Sequence, residues 1–171
     1  MENIVNQWVK KLQMLPHPEG GFFKENYRST EYMEVSCLPE RFGGRRPIST
    51  AIYFLITAGN FSAFHRIKSD ECWHFYTGDP LWVHLIDDST GTYSKIALGN
   101  QLNGSEVMQA VVPAGYWFAS ETQPGGSFSL VGCTVAPGFD FADFELASRD
   151  SLIAKSPNQA SLINRLTRIE T

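Results

Sequence analysis

The spacing of apolar residues predicts a short helix at each end of the chain. Over about residues 3–15, apolar side chains recur at helical intervals, with Asn3 as a candidate cap and Pro16 as the stop. Over about residues 157–168, Ser156 and Pro157 are typical of a helix cap and a first helical position. Both apolar stripes are typical of helices that cover a core. Their members are Ile4, Val5, Trp8, Val9 and Leu12, and then Leu162, Ile163, Leu166 and Ile169.

Between the helices the pattern changes to short alternating runs, which predict β-strands. The runs are rich in Phe, Tyr, Val, Ile and Thr and are separated by Gly, Pro, Asp and Asn. They cover residues 22–28, 49–57, 61–67, 71–77, 81–87, 93–98, 107–113, 116–120, 127–136 and 141–147. About ten strands without helices between them are typical of an antiparallel sandwich or barrel. We expect one all-β domain over residues 1–171, with its barrel over about residues 21–147.

The composition argues against several classes of function. A net charge of −4 argues against a nucleic-acid partner, because neutralising phosphates requires a basic surface. The longest apolar run, residues 51–56, is far shorter than the ~20 residues of a membrane span, and no signal-peptide pattern opens the chain. Cys37, Cys72 and Cys133 are odd in number and widely spaced, which predicts reduced thiols. We therefore expect a cytoplasmic protein that binds neither nucleic acid nor membrane.

One stretch, residues 59–78, carries candidate chemistry. Its Gly59, His65, Glu71 and Gly78 resemble in identity and spacing the first motif of the cupin family, G-x5-H-x-H-x3-E-x6-G. Ile67 occupies the position of the second histidine of that motif. A second stretch, residues 113–118, resembles the second cupin motif, P-x-G-x2-H, with Phe118 in place of its histidine. The resemblance implies a jelly-roll β-barrel or sandwich.

Strand alternation predicts that the candidate residues share a cavity. His65 and Ile67 fall on one face of their strand, and Glu71, Trp73 and Phe75 fall on one face of the next. A tight turn at residues 68–70 would bring His65 and Glu71 together across a hairpin. A buried carboxyl requires a partner, and the imidazole is the obvious one. We expect the cavity wall to consist of Ile67, Trp73, Phe75, Trp117 and Phe118.

The same residues make a poor metal site. Open metal sites normally keep three protein ligands, and apolar side chains stand at two of the cupin ligand positions. Alternation turns His74 to the outer side of its sheet, and His84 has no acidic neighbour nearby in sequence. We therefore expect no metal and no cofactor. A His65–Glu71 contact without any function is the alternative interpretation of the pair.

Three further stretches resemble a small bacterial cupin family of unknown function. They are Leu15–Ser29, which opens that family's sequence, Val111–Trp117, and Pro137–Ala147. Together with Asp70–Gly78 they extend the resemblance from about Leu15 to the C-terminal helix. The chain is thereby identified as a member of that family, whose biochemical activity is unknown.

The same family is similar in fold to the epimerases of dTDP-4-keto-6-deoxysugars. Residues 21–25 resemble their Gly-x-Phe-x-Glu first strand, which reaches into the neighbouring subunit, and His65 stands at the position of their catalytic base. The Arg-Gly that precedes that base is missing, and Trp117 replaces a histidine of their second motif. The resemblance implies a homodimer joined through the first strand. Glu25 or Tyr27 would then complete the partner's cavity.

These observations predict a cupin that binds a small polar organic ligand, such as a sugar or nucleotide sugar. As an enzyme it would isomerise or epimerise, with His65 as the base and Glu71 orienting and stabilising the imidazolium. The alternative from another class is a non-catalytic ligand-binding or sensor cupin. A metal-dependent cupin oxygenase is third, because ligands are missing at positions 67 and 118.

Overall fold

Two antiparallel β-sheets form the centre of the structure, a computed structural model that describes residues 3–168. The strands are β1 (Leu15–Pro16), β2 (Phe22–Arg28), β3 (Tyr32–Met33), β4 (Arg46–Pro47), β5 (Thr50–Thr57), β6 (Phe61–Arg66), β7 (Asp70–Gly78), β8 (Leu81–Ile86), β9 (Tyr93–Leu98), β10 (Gln109–Val112), β11 (Trp117–Thr122), β12 (Phe128–Ala136) and β13 (Glu145–Leu146). The larger sheet has the order β1-β2-β5-β12-β7-β10, and the smaller sheet has the order β13-β6-β11-β8-β9. A separate ribbon pairs β3 with β4.

The hydrophobic core lies between these two sheets, because alternate residues of each strand point inward. The larger sheet contributes Phe54 and Val131, and the smaller sheet contributes Val83, Leu85 and Phe118. Each sheet is hydrogen-bonded within itself, so the two form a sandwich and not a closed barrel. The expected all-β jelly-roll class is confirmed. The first nine predicted strands lie within two residues of observed strands.

The N-terminal helix, α1 (Ile4–Leu12), covers the outer face of the larger sheet. As expected, the Asn3 side chain accepts a hydrogen bond from the Val5 backbone N–H at 3.1 Å and caps the helix. The helix ends before Pro16, because Gln13 adopts a left-handed conformation with φ 54°. In the described range no helix is long and apolar enough to cross a membrane.

The C-terminal region is not the single helix predicted over residues 157–168. It consists of α2 (Arg149–Lys155), a 3-10 turn (Pro157–Gln159) and α3 (Ala160–Arg165). The Ser156 hydroxyl donates to the Gly91 carbonyl at 2.9 Å and caps no helix, so the chain bends at this residue. Leu152, Ile163 and Leu166 pack against the outer face of the smaller sheet, whereas Ile169 lies outside the described residues.

The strand predicted over residues 141–147 is also wrong in most of its length. Residues Phe141–Asp143 form a 3-10 turn, and only the two residues of β13 pair with β6. The Asp140 side chain accepts from the Ala142 N–H at 2.8 Å and so competes with extended structure. Asp143 is drawn inward by Arg46, whose guanidinium donates two hydrogen bonds of 2.6 Å to its carboxylate. Polar side-chain bonds therefore override the strand-like apolar alternation.

Candidate functional site

A cavity opens between the two sheets, and the space that no atom fills in the cavity and its open mouth together is about 610 Å³. It narrows to an inner recess of about 220 Å³ that shares part of the same wall. Strands β2, β5, β7 and β12 of the larger sheet supply most of the wall, and β6 supplies the opposite side. The side chains that carry chemistry are His17, Glu19, Glu25, Arg28, His65, Glu71 and Cys133.

His65, on β6, is held as a neutral imidazole inside this cavity. It is 4% exposed, and its Nδ1 lies 2.7 Å from the Ala63 carbonyl oxygen. Because a carbonyl only accepts, Nδ1 donates the hydrogen, and Nε2 keeps its lone pair. Burial lowers the pKa of His65 to about 4. At neutral pH the ring is therefore an unprotonated base.

The carboxyl that contacts His65 is Glu19, a residue that sequence reasoning missed. Its Oε2 lies 3.2 Å from His65 Nδ1 and accepts a hydrogen bond of 2.5 Å from the Ser62 hydroxyl. The Arg168 guanidinium donates to the Glu19 backbone carbonyl at 2.8 and 3.1 Å and ties this segment to the C-terminal region. Burial raises the pKa of the Glu19 carboxyl. The hydrogen bond to Ala63 orients the imidazole, and the Glu19 carboxyl lies beside it.

His17 completes the inner end of the cluster and was also missed. Its Nδ1 accepts a hydrogen bond of 3.2 Å from the Glu19 backbone N–H. The ring packs edge-on against Phe23 and Phe54, with centroids 4.7 and 5.6 Å away. Burial lowers the pKa of His17. The available signal was the spacing of His17 and Glu19, two residues apart between prolines and glycines in residues 16–21.

Glu71, on β7, is a buried carboxyl that retains its proton. Burial, and secondarily the charge of Glu19, raise the pKa of Glu71 to about 8, although the Cys133 thiol and the Trp73 indole oppose this shift. The Trp73 N–H lies beside the carboxyl but does not reach hydrogen-bond geometry, and it has no other partner in residues 3–168. Below about pH 8 the side chain is a neutral acid that can donate a hydrogen bond.

His65 and Glu71 line the same cavity, but they are not joined across a hairpin as predicted. β6 belongs to the smaller sheet and β7 to the larger, so the segment between them crosses from one sheet to the other. The two side chains enter the cavity from opposite sheets. No ion pair or hydrogen bond links them in the described part of the chain, and the carboxyl that lies beside the His65 imidazole is that of Glu19.

Residues 6–147 match the family described as Cupin superfamily (DUF985). The chain belongs to this family. It is 32% identical over 152 residues to the uncharacterized protein YML079W of Saccharomyces cerevisiae, across 84% of this chain and 73% of that protein. Protein SO0799 from Shewanella oneidensis has a TM-score of 0.86 at 38% identity, across 99% of this chain and 100% of that one. A hypothetical protein from Leishmania major has a TM-score of 0.87 at 35% identity, across 98% and 100%.

The comparisons confirm the predicted resemblance to a cupin family of unknown function. They also correct its breadth, since the yeast and Leishmania relatives show that it is not confined to bacteria. They show the family and the fold of this DUF985 cupin. Its chemistry has to be argued from the cavity itself.

Of the ligand-contacting residues predicted for this cupin, most lie in or behind the cavity wall. Ile67 lines the cavity, and Trp73 lines the inner recess. The Phe118 ring backs His65 with a centroid separation of 4.0 Å. Phe75 is buried in the core and does not appear in the wall of either space. Glu25 lines the mouth, where its carboxylate accepts hydrogen bonds of 2.7 and 2.9 Å from Arg28.

Trp117, a predicted wall residue, lies elsewhere, and Tyr27 stays a prediction for the cavity of a partner subunit. Trp117 packs on the outer face of the smaller sheet, where its indole N–H donates to Asp88 at 2.8 Å and Arg66 lies over its ring. It precedes the inward-facing Phe118, and neighbours on one strand point to opposite faces, so both could not face the cavity. Tyr27 is 53% exposed and is absent from the wall of its own chain's cavity.

The remaining two histidines are accounted for outside the cavity. His74 lies on the outer face of the larger sheet, hydrogen-bonded to Thr134 at 3.1 Å and to Gln109 at 3.0 Å. His84 lies between Tyr93 and Glu121, at 2.9 and 3.1 Å. Burial of Glu121 is outweighed by hydrogen bonds from His84 and Arg165, which lower the pKa of Glu121 to about 2. The acidic partner of His84 comes from another strand, which its sequence neighbourhood did not reveal.

The donor set of the cavity does not fit a cupin metal centre. Within residues 3–168, no group of three or more His, Cys, Asp or Glu side chains is arranged to hold a metal ion. Ile67 and Phe118 present carbon to His65 where further ligands would stand. We therefore derive no chemical step through a metal.

Proposed function

We propose that this cupin binds a small uncharged carbonyl compound in its cavity and transfers a proton next to the carbonyl group. The proposal depends on one arrangement: the buried His65 imidazole and the buried Glu71 carboxyl line the same cavity, where burial favours the neutral form of each. Environments that push two titratable groups in opposite directions are typical of acid and base assignments in enzymes. Isomerisation or epimerisation at the carbon beside the carbonyl is the reaction class that uses such a pair.

In this proposal His65 Nε2 removes the proton and Glu71 supplies one. When Nε2 takes up a proton, Nδ1 remains bonded to Ala63 and close to Glu19, which orients the ring and stabilises its positive charge. The Glu71 hydroxyl donates to the carbonyl oxygen, where negative charge develops in the enol-like transition state. The sequence offered no proton donor for an isomerase. Burial of Glu71 supports that role.

The charge of the lining favours an uncharged ligand over a nucleotide sugar. Among residues 3–168, Arg28 is the only permanently charged cation in the wall. Its guanidinium already donates two hydrogen bonds to Glu25 and one to the Phe139 carbonyl, at 3.1 Å. A diphosphate would therefore find no uncommitted cation in the lining of this chain, and burying it would be costly. A hydroxyketone has no such requirement.

Proton exchange on hydroxyacetone tests the proposal directly. Incubation in D2O followed by proton NMR measures loss of the hydrogens next to the carbonyl. We expect wild-type protein to accelerate the exchange, and His65→Gln and Glu71→Gln to reduce it by about 10²-fold or more. His74→Gln is the matched control, because this histidine lies on the outer face of the larger sheet.

Exchange at the same rate in the control and in both cavity variants would refute the proposal. Binding of hydroxyacetone without any exchange would favour the alternative, a non-catalytic ligand-binding or sensor cupin. If only one of the two cavity variants lost exchange, the group replaced in the other variant would be dispensable. That result would refute the paired mechanism.

We also propose that the protein is a cytoplasmic homodimer joined at β2. This strand pairs with β5 on one side, and with β1 only at Phe22 and Phe23, which leaves residues 24–28 without a strand on the other side in the described structure. Such an edge is a template for association, and two-fold pairing is the commonest outcome. Glu25 lines its own chain's cavity, so strand exchange is not needed to place it. Sedimentation at micromolar concentration tests this, and a stable 19.2 kDa monomer would contradict it.

A further inference from the structure

A cluster of phenylalanines stands at the mouth of the cavity, in the stretch Pro137–Ala147 that the proposed proton transfer does not use. Phe139 and Phe141 both line the cavity, and Phe144 packs behind them. The ring centroids of Phe139 and Phe141 are 5.0 Å apart and those of Phe141 and Phe144 are 6.3 Å apart, in edge-to-face contacts. Phe144 in turn lies 5.4 Å from the His65 ring. The cluster therefore connects the mouth with the base.

The segment that carries the cluster is anchored at several points. The Phe139 N–H donates to Thr50 Oγ1 at 2.9 Å, and the Gly138 N–H donates to the Pro47 carbonyl at 2.7 Å. The buried Arg46–Asp143 pair, with two hydrogen bonds of 2.6 Å, holds the other end. A wall fixed in this way is organised before any ligand arrives, which lowers the entropic cost of binding.

The large apolar side chain of Phe141 is exposed to solvent in the single chain, which is energetically unfavourable. It is 59% exposed, and every other phenylalanine in residues 3–168 is buried or half-buried. A large aromatic side chain left in water beside a preformed cavity forgoes the free energy of burial that a ligand could supply. The wall of the same cavity also contains the apolar side chains of Phe23, Ile52 and Val135.

We propose that Phe139 and Phe141 form a ring subsite that receives the aromatic ring of an aryl-substituted hydroxyketone. This names the substrate class for the function proposed above and rests on it. A sugar ring fits this part of the wall less well, because its hydroxyls would leave water and Arg28, the nearest strong donor, is already bonded to Glu25 and Phe139. An aromatic ring needs no polar partner and gains edge-to-face contacts.

Two probes with the same head group test the subsite: 2-hydroxyacetophenone, which carries a phenyl ring, and hydroxyacetone, which carries a methyl group in its place. We expect calorimetry to show that wild-type protein binds the phenyl probe about tenfold or more tightly. Phe141→Ala should lower that ratio about fivefold, and Phe141→Leu should lower it less. Tyr76→Ala is the control, because Tyr76 is 49% exposed on the outer face of the larger sheet.

Equal affinity for the two probes, no binding of either at millimolar concentration, or a ratio unchanged by Phe141→Ala would overturn the subsite. Phe141→Ala could also change the sedimentation coefficient and leave the ratio of the two probe affinities unchanged. That result would overturn the subsite and assign Phe141 to a contact between subunits. Ring-dependent binding without proton exchange would keep the subsite and refute the catalytic proposal. Proton exchange without tighter binding of the phenyl probe would refute the subsite and keep the catalytic proposal.

Discussion

Replacing Glu71 by glutamine should remove a specific dependence of stability on pH. The amide has nearly the shape of the protonated carboxyl but does not titrate. In the folded protein Glu71 keeps its proton up to about pH 8, whereas in the unfolded chain it loses the proton at about its ordinary pKa of 4.5. Between these values the folded state binds more protons than the unfolded state. The free energy of unfolding therefore falls as pH rises through this window.

The size of the effect follows from the width of that window. While only the unfolded state is ionised, the free energy of unfolding falls by about 1.4 kcal/mol per pH unit. The contribution of Glu71 is complete below about pH 4.5 and is lost as pH rises through about 8. Between about pH 6.5 and 8.5 the wild-type protein should therefore lose about 2 kcal/mol that Glu71→Gln retains.

Urea unfolding followed by tryptophan fluorescence at several pH values between these limits measures the difference. Glu145→Gln is the matched control, because Glu145 is a surface carboxylate paired with Arg66 at 2.7 Å. Its curve should run parallel to that of the wild type. If Glu71→Gln also ran parallel to the wild type, Glu71 would already be ionised in the folded state, and the acid role proposed for it would fall with that result.

Three further changes test the cavity and its surroundings. Trp73→Phe removes an indole N–H that opposes the raised pKa of Glu71, so the alkaline loss of stability should move to higher pH; an unchanged pH profile would contradict this. His65→Ala should abolish an acid-side loss of about 3 kcal/mol between about pH 6.5 and 4, because the unfolded chain binds that proton first; the same change in unfolding free energy between these two pH values in the wild type and in His65→Ala would refute it. Arg46→Met should cost about 3 kcal/mol, because the buried Asp143 carboxylate would keep only the longer 3.5 Å contact with Lys68, and adding Asp143→Leu should recover much of the loss in thermal unfolding; additive losses would speak against a coupled pair.

The local alternation of apolar and polar residues was enough to predict much of the fold of this protein. The side-chain period of two on each strand was enough to place Ile67, Trp73 and Glu71 on inward faces, and a helix cap such as Asn3 depends on only a few neighbouring residues. The runs of Phe, Tyr, Val and Ile between turn residues were enough for the strands and for the all-β class. The same rule excluded Trp117 from the cavity once Phe118 was placed inside it.

Contacts between distant parts of the chain determine which groups meet in the cavity. Glu19 reaches Ser62 and His65 across more than forty residues of chain, and β6 and β7 fall in different sheets although a short segment joins them. In the stretch after Pro137, the alternation of apolar residues predicts a strand. The buried pairing of Asp143 with Arg46 outweighs that preference, and residues 141–143 form a 3-10 turn. The protonation of His65 and Glu71 depends on burial by residues from several strands. Desolvation and long-range contacts are properties of the packed chain, and no local pattern of residues encodes them.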